Sequence, residues 1–250
     1  MSTARVPRVE ARYSCSVAQD PHEVSAAQRL RHDVLAEDFP GLAEQATPGL
    51  DADRYDDFAE HLVVRESGSG AVVGTYRMIS PAAAVQAGGF YAESLFDLSR
   101  LDPIRARMLE IGRACVHRDH RDGAVVNLLW RGIARYAART GCTYVAGSPS
   151  IPLTDGGSTA AGVWDQLSRS RRLAPPELRV VPHTPWRPDG VARPARHTVP
   201  AVVRGYLLAG AMVCGPPAHD TVLRSADLFM LLDTSTMPPG YARRYLGKAI

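Results

Sequence analysis

Residues 108–140 read MLEIGRACVHRDHRDGAVVNLLWRGIARYAART, and the order of residue types in this stretch decides the fold class. An apolar run over 108–117 predicts a strand, a short polar loop follows, and 123–140 carries an apolar face at helical period. A strand that turns into a helix this way aims the free N–H groups of the first helical turn beyond the strand end. Together with the helix dipole they favour an anion there. Arg118 and Arg121 border that place, and a guanidinium can grip a phosphate with two hydrogen bonds. An ordinary β-α turn with a solvated basic loop has the same pattern, so the stretch alone leaves both readings open.

Strand alternation sorts the residues further. Ile111, Arg113, Cys115 and His117 are expected on one face, and Glu110, Gly112, Ala114 and Val116 on the other. Gly112 marks a candidate bulge, which would disturb that alternation and bring backbone groups close to a ligand. Glu110 and Arg113 are costly inside an apolar strand unless they are paired or functional. A buried Glu–Arg ion pair is therefore the structural alternative to a catalytic role.

Working outward, 21–38 shows Val24, Ala27, Leu30, Val34 and Leu35 on one helical face, stopped by Pro40 and Gly41. An acidic loop with Asp51, Asp53, Asp56 and Asp57 follows. Strands over 61–65 and 72–79, joined by SGSG at 67–70, read as a hairpin. Past the central helix, a strand over 143–147 and a helix over 158–172 are expected. The stretch 149–200 holds nine prolines and should be largely loop, with one strand at 178–181. A helix over 201–208 and a strand over 227–233 close the chain. Residues 1–20 have no clear period and read as a loose or extended arm. Too little periodic sequence follows the prolines to build a second core, so 21–250 reads as one α/β domain with a proline-rich loop region at 149–200.

Composition removes several chemistries. The 250 residues are 45% hydrophobic and 22% charged, ordinary for a globular protein, and no run approaches the ~18 apolar residues of a membrane span. MSTARVPRVE lacks the apolar stretch of a secretory signal, which predicts a cytoplasmic protein, with peripheral membrane contact as the nearest alternative. Cys15, Cys115, Cys142 and Cys214 form no CxxC pair, and the eight histidines form no HxxxH, so neither a disulfide framework nor a metal site is expected. Lys248 is the only lysine among 29 basic residues. That excludes a P-loop lysine and leaves no plausible Schiff-base lysine; the arginine excess itself reads as the imprint of a GC-rich genome.

EIGRACVH at 110–117 followed by HRDGAVVNLLWRGIARY at 120–136 resembles the ornithine N-acyltransferases that start ornithine-lipid synthesis, GNAT-like relatives of the acyl-homoserine-lactone synthases. Further blocks agree in order: RLRHDV at 29–34, DADRYD at 51–56, HLVV at 61–64, VGTYR at 73–77, GGFY at 88–91 and APPELR at 174–179. Such ordered blocks over roughly 25–235 are far more specific than any one of them. The resemblance implies a GNAT-like α/β fold, a mixed central sheet with splayed strands flanked by helices. The pantetheine arm of a thioester would lie between the strands at 108–117 and 143–147. It further implies no permanently bound cofactor, an acyl group on the phosphopantetheine of acyl carrier protein (or CoA) as co-substrate, and an amino-acid amine as acceptor. Ornithine with a 3-hydroxyacyl carrier is the best single expectation. One departure matters: the usual Arg/Gln-x-x-Gly-x-Gly/Ala loop is reduced to Arg121-Asp-Gly-Ala124, with one glycine. This favours a carrier-bound donor over the pyrophosphate of CoA.

Roles follow from both lines. Glu110 is the expected base for the amine, directly or through water, with Arg113 as its catalytic neighbour. Backbone N–H groups around Ala114, Cys115 and Val116 would polarise the thioester carbonyl, and Arg118, Arg121, Asp122, Gly123 and Ala124 would hold the donor. Arg31, Asp53, Asp56 and Arg77 match acceptor-side positions of the related synthases, and Ser148 is placed with them. Arg131, Arg135 and Arg139 recur at i, i+4 and i+8, a basic stripe that is a solvated face or a docking site for an acidic carrier or, less favoured, a nucleic-acid backbone such as tRNA. Cys115 reads as a packed core thiol rather than a nucleophile activated by His117, and His61 as a structural residue. The alternatives are a secondary-metabolite enzyme acylating another amine from acyl-CoA or aminoacyl-tRNA, an acyl-lactone signal synthase, and a non-catalytic binding protein that kept the fold. A binding relic has no need to bury Glu110 and Arg113.

Overall fold

A computed structural model describes residues 12–39, 49–194 and 197–247. In chain order the regular elements are β1 (Tyr13–Val17), α1 (Pro21–Asp38), β2 (Glu60–Glu66), β3 (Val72–Ile79), α2 (Pro81–Gln86), β4 (Phe96–Asp97), α3 (Asp102–Arg105), β5 (Met108–Val116) and α4 (Ala124–Thr140). They continue with β6 (Tyr144–Gly147), β7 (Ser150–Pro152), α5 (Ser158–Ser168), β8 (Val181–Pro182), α6 (Ala201–Ala209), β9 (Met212–Val213), β10 (Ala218–Asp220), β11 (Ser225–Asp227), β12 (Met230–Asp233) and α7 (Pro239–Leu246).

Local chemistry sets the two helices that matter most for the site. At α1 the Asp20 side chain accepts from the Glu23 N–H at 2.9 Å and Pro21 occupies the first turn, a start signal in both cap and proline. The expected stop at Pro40 and Gly41 lies outside the described residues. α4 follows Gly123, whose φ of 90° is left-handed and suits a residue without Cβ. It buries Val125, Leu129, Trp130 and Ile133 against Leu62, Val64, Leu109 and Ile111 of the sheet. Burial of each such side chain contributes roughly 1.5–3 kcal/mol.

A seven-stranded sheet runs in the order β1-β2-β3-β5-β6-β12-β9. Every neighbouring pair is antiparallel except β5 and β6, which are parallel. That parallel ladder covers only Met108–Glu110 against Tyr144–Ala146. Beyond it β5 continues to Val116 while β6 ends at Gly147, so a wedge opens between them. α4 covers one face of the sheet near β1–β3, and α1 packs on β3 and β5. A second core with Phe90, Phe96, Met108, Phe229 and Leu231 fills the space towards β4 and β12. A three-stranded sheet, β10-β11-β7, stands beside the wedge.

Several expectations change. Residues 13–17 are not a loose arm but an edge strand, paired with β2 from Tyr13 opposite Glu66 to Val17 opposite Leu62. The single strand expected at 227–233 is two strands in different sheets, because Leu228 donates to the Pro149 carbonyl and Phe229 accepts from Cys214 between them. The strand expected at 178–181 is replaced by a 3-10 turn at Pro176–Leu178 and by β8. The helix expected to reach 172 ends at Ser168. No helix among the described residues is long and apolar enough to cross a membrane.

Candidate active site

The bulge in β5 is the central local feature. Thr75 lies opposite Cys115, yet Arg77 lies opposite Gly112. Two steps along β3 therefore match three along β5, and the extra residue falls at 113–114. Arg113 absorbs it with φ 51°, a left-handed conformation that costs a non-glycine residue about 1–2 kcal/mol. The phase of the strand then slips by one: Leu109 and Ile111 below the bulge and Ala114 and Val116 above it share one core. The regular alternation expected from the sequence is corrected accordingly, and Arg113 joins the face of Glu110. The Arg113 guanidinium lies 5.3 Å from the Tyr91 ring centre, while Glu110 accepts from the Tyr91 N–H at 2.7 Å.

Arg113 does not pair with Glu110. It belongs to a closed ring of alternating charges drawn from α1, the acidic loop, β3 and β5. Arg31 bonds Asp51 at 2.7 Å and Asp56 at 2.7 Å; Arg113 reaches Asp51 at 3.3 Å and Asp53 at 3.0 Å; Arg77 reaches Asp53 at 2.5 Å and Asp56 at 3.6 Å. Burial acts to raise Asp53, but Arg77 and Arg113 hold its carboxyl below the usual range. Burial likewise opposes ionisation of Asp56, and Arg31 and Arg77 hold it well below that range. Desolvation offsets much of the attraction in such a network; what it secures is geometry, including the strained Arg113. Arg31, fully buried, and Asp56 line neither cavity described below, so they hold the ring from behind. His61 is buried behind Asp56, 3.4 Å from its carboxylate.

Two cavities meet at Arg113. A groove of about 800 Å³ follows the wedge between β5 and β6 and continues past Tyr76, Leu129, Trp130, Tyr206 and Leu208. A pocket of about 570 Å³ is walled by Asp51, Asp53, Asp220, His183 and His219. Tyr91, Arg113 and Leu223 line both. Gly147 marks the throat of the wedge: a Cβ there would lie 1.9 Å from the Tyr206 hydroxyl and 2.7 Å from the Ile111 carbonyl oxygen.

Glu110 faces the groove beside this junction. Its two oxygens accept from the N–H groups of Ala92 at 2.8 Å and Tyr91 at 2.7 Å. Burial pushes its carboxyl up to about 7, against those two donors and Arg77. A carboxylate with that pKa can exchange a proton near neutral pH, the condition for general base work.

The residues expected to hold the donor divide. The His117 N–H donates to the Val73 carbonyl at 2.9 Å. Bonded pairs alternate along an antiparallel ladder, so the Cys115 N–H turns to β3 and the Val116 N–H to the open side of the wedge. Arg121 and Gly123 line the groove, and Arg121 is tied to the strand end by its bond to the Val116 carbonyl at 3.1 Å. Asp122 caps α4 by accepting from Ala124 at 2.9 Å, and Asn127 donates to Gly123. The N–H groups of Val125 and Val126 are then the ones left pointing past the helix end. Arg118 pairs with Glu37 across the surface and lines neither cavity. Burial pushes the Cys115 thiol up to about 12, which keeps it protonated and inert.

Ser148, expected on the acceptor side, lines the long groove, and its buried hydroxyl finds no hydrogen-bond partner among the described residues. Arg131, Arg135 and Arg139 lie along α4 outside both cavities. Sequence gives no site role to Ser150, Tyr206, Asp220 or Asp227, and marks Tyr91 only as the end of the GGFY block. One signal was available: Asp227 stands at the edge of the apolar run LFMLL at 228–232.

A family profile described as an acetyltransferase (GNAT) domain matches residues 30–131. The L-ornithine Nα-acyltransferase of Rhodobacter capsulatus is 31% identical over 94% of this chain and 97% of its own length. The chain belongs to the L-ornithine Nα-acyltransferase family. The enzyme of the same description from Brucella abortus is 30% identical, over 90% of this chain and 86% of its own. Among solved structures, the acyl-homoserine-lactone synthase LasI superposes with TM-score 0.55 at 12% identity, covering 95% of this chain and 96% of that one. FeeM, an N-acyl amino acid synthase from uncultured soil microbes, gives 0.54 at 14% identity, covering 90% and 92%. The protein is thus an acyltransferase of GNAT type, and the fold read from the sequence is the fold observed.

Proposed function

We propose that this acyltransferase joins a long acyl group, delivered as a phosphopantetheine thioester of acyl carrier protein, to the α-amine of ornithine. The observation that carries the reading is the meeting of an acidic pocket and a long apolar groove at Tyr91 and Arg113, with Glu110 beside the junction. The pocket suits a small cationic amino acid: Asp53 and Asp220 attract ammonium groups, and Arg113 attracts a carboxylate. The groove suits an apolar chain.

In the reaction Glu110 takes a proton from the acceptor ammonium, directly or through a water, and the freed amine attacks the thioester carbonyl. The Val116 N–H, facing the wedge, supports the negative charge that develops on the carbonyl oxygen. Collapse forms the amide C–N bond and breaks the C–S bond, releasing the thiol. The N–H groups of Val125 and Val126 with Arg121 suit one phosphodiester better than a pyrophosphate, which supports the carrier over CoA as donor.

The test is mass spectrometry of amines acylated by the purified protein, offered acyl carrier protein, acyl-CoA and charged tRNA donors in separate reactions. Nα-acyl-ornithine from the carrier is expected. Amide from CoA or tRNA alone moves the donor assignment, and no amide from any donor defeats the proposal.

A further inference from the structure

The chemistry above leaves one fully buried carboxyl unused. Asp227 of β11 lies directly opposite Ser150 of β7, and Ser225 follows the same face of β11 two residues away. Its two oxygens are bridged by hydroxyls, Ser150 at 2.9 Å and Ser225 at 2.6 Å. Ser150 lines the groove together with Ser148, Pro149 and Glu110. Asp227 is 1% exposed and reaches the groove through Ser150. A buried carboxyl held by two neutral hydroxyls, without an ion-pair partner among the described residues, is a poor site for a fixed charge and a good one for a proton.

Proton balance shows where that proton is needed. The acceptor enters as an ammonium and leaves as an amide N–H, so two protons depart from nitrogen. Glu110 takes the first. The thiolate expelled when the C–S bond breaks must gain one, and on the reading above Glu110 serves the amine. On the acyl-transfer reading above, we propose that Ser150, backed by Asp227, delivers the proton to the departing sulfur. Ser150 passes its hydroxyl proton to the thiolate as protonated Asp227 donates to the Ser150 oxygen, leaving Asp227 ionised. The second proton from nitrogen then restores the carboxyl, directly or through solvent. Ser150 is the catalytic group and Asp227 the positioning residue that recharges it.

The surroundings fit a carboxyl that is protonated near neutrality. Burial pushes Asp227 up to about 7, and Asp220 of β10 raises it further, while the hydroxyls of Ser225 and Ser150 and the charge of Arg113 of β5 act downward. Tyr91, which feels the charge of Asp227, keeps its own phenol protonated by burial. The leaving thiol has an ordinary pKa near that of cysteine, ~8.5, so transfer from such a carboxyl is matched in driving force.

The test compares leaving groups. One acyl chain is offered as an N-acetylcysteamine thioester, whose thiolate needs a proton, and as a thiophenyl ester, whose thiolate leaves without one. Ser150→Ala and Asp227→Asn are expected to lose on the order of 100-fold in kcat with the first donor and to recover to within about threefold of wild type with the second. With the donor that the wild type prefers, the fall in kcat above pH about 7 is expected to vanish in both variants. Equal loss with both donors, or unchanged kcat and pH profile, overturns the proposal. So does leaving-group rescue in Tyr206→Phe in place of Ser150→Ala, because the Tyr206 hydroxyl at the throat would then be the acid. Thermal melts identify a merely unfolded Asp227→Asn, in which case Ser150→Ala decides. A wild type inactive with every thioester is a failure of the function proposed above, and is read from the wild-type control alone.

Discussion

Glu110→Gln should stop this protein working, and its stability relative to the wild type should rise with pH in a way the site dictates. Glu110 has an ordinary value of 4.5 and is pushed up to about 7 by burial. The folded protein therefore keeps a proton that the unfolded chain has already released between those values. Stability contributed by the protonated form is complete below pH 4.5 and is lost as pH rises towards 7. At about 1.4 kcal/mol per pH unit, the wild type carries a penalty of about 3 kcal/mol by pH 8. Glutamine escapes that pH-dependent penalty, but its amide nitrogen faces one of the two N–H donors of Tyr91 and Ala92 and cannot accept from it, a pH-independent loss of about 1–3 kcal/mol. For a chain of this size about 3 kcal/mol corresponds to ~6–12 °C in Tm. Thermal scans of both proteins at pH 4.5, 6 and 8 would read the effect: a variant below the wild type at pH 4.5, and a difference that shifts steadily in favour of the variant as the pH rises. Turnover should fall by about 10²–10⁴-fold across the range. A Tm difference that stays constant from pH 4.5 to 8 would refute the claim that burial holds this proton.

Other perturbations probe the frame around the site. Arg31→Met leaves Asp51 and Asp56 without their shared cation at a fully buried position, and urea unfolding should record a loss of about 3–5 kcal/mol. Gly147→Ala drives a Cβ against Tyr206 and the Ile111 carbonyl, so a loss of about 1–3 kcal/mol is expected. Adding Tyr206→Phe should restore only part of it, since the backbone oxygen cannot step aside. Arg135→Glu with Arg139→Glu should raise KM for a carrier-protein donor, most at low salt, and leave KM for a pantetheine-sized thioester unchanged. Equal effects on both donors would remove the α4 stripe from carrier docking.

What the sequence made legible was whatever depends on near neighbours. The turn from β5 into α4 could be read from periodicity and one glycine, and Glu110 and Arg113 stood out because charges are rare in an apolar strand. Their partners could not be read. An inserted residue rotates the strand so that Arg113 shares the face of Glu110, where Asp51 and Asp53 of the acidic loop meet it, and periodicity offers no sign of which residue will take the left-handed conformation. Asp227 and Ser150 are far apart along the chain and become opposite residues only when β11 pairs with β7. Asp51 looked like one more acid in a polar loop until Arg31 and Arg113 closed on it. The N-terminal strand was missed for a similar reason: YSCSV at 13–17 alternates weakly, and pairing with β2 supplies what its pattern lacks.

The bulge at Arg113 also makes the chemistry of β5 a matter of phase. Below it the strand is read in one frame, and above it in a frame shifted by one. A point substitution leaves both frames intact and alters one side chain. Deleting a single residue at 113 or 114 would merge them and restore an unbroken ladder with β3: Cys115 would stay opposite Thr75 and Gly112 opposite Arg77, while Arg113 would be lost or, with Ala114 deleted, turned to the core face beside Tyr76. Such a chain would keep its sheet and lose the cation that the acidic ring and both cavities share at Arg113. The length of this one strand therefore shapes the site as much as the identity of any residue in it.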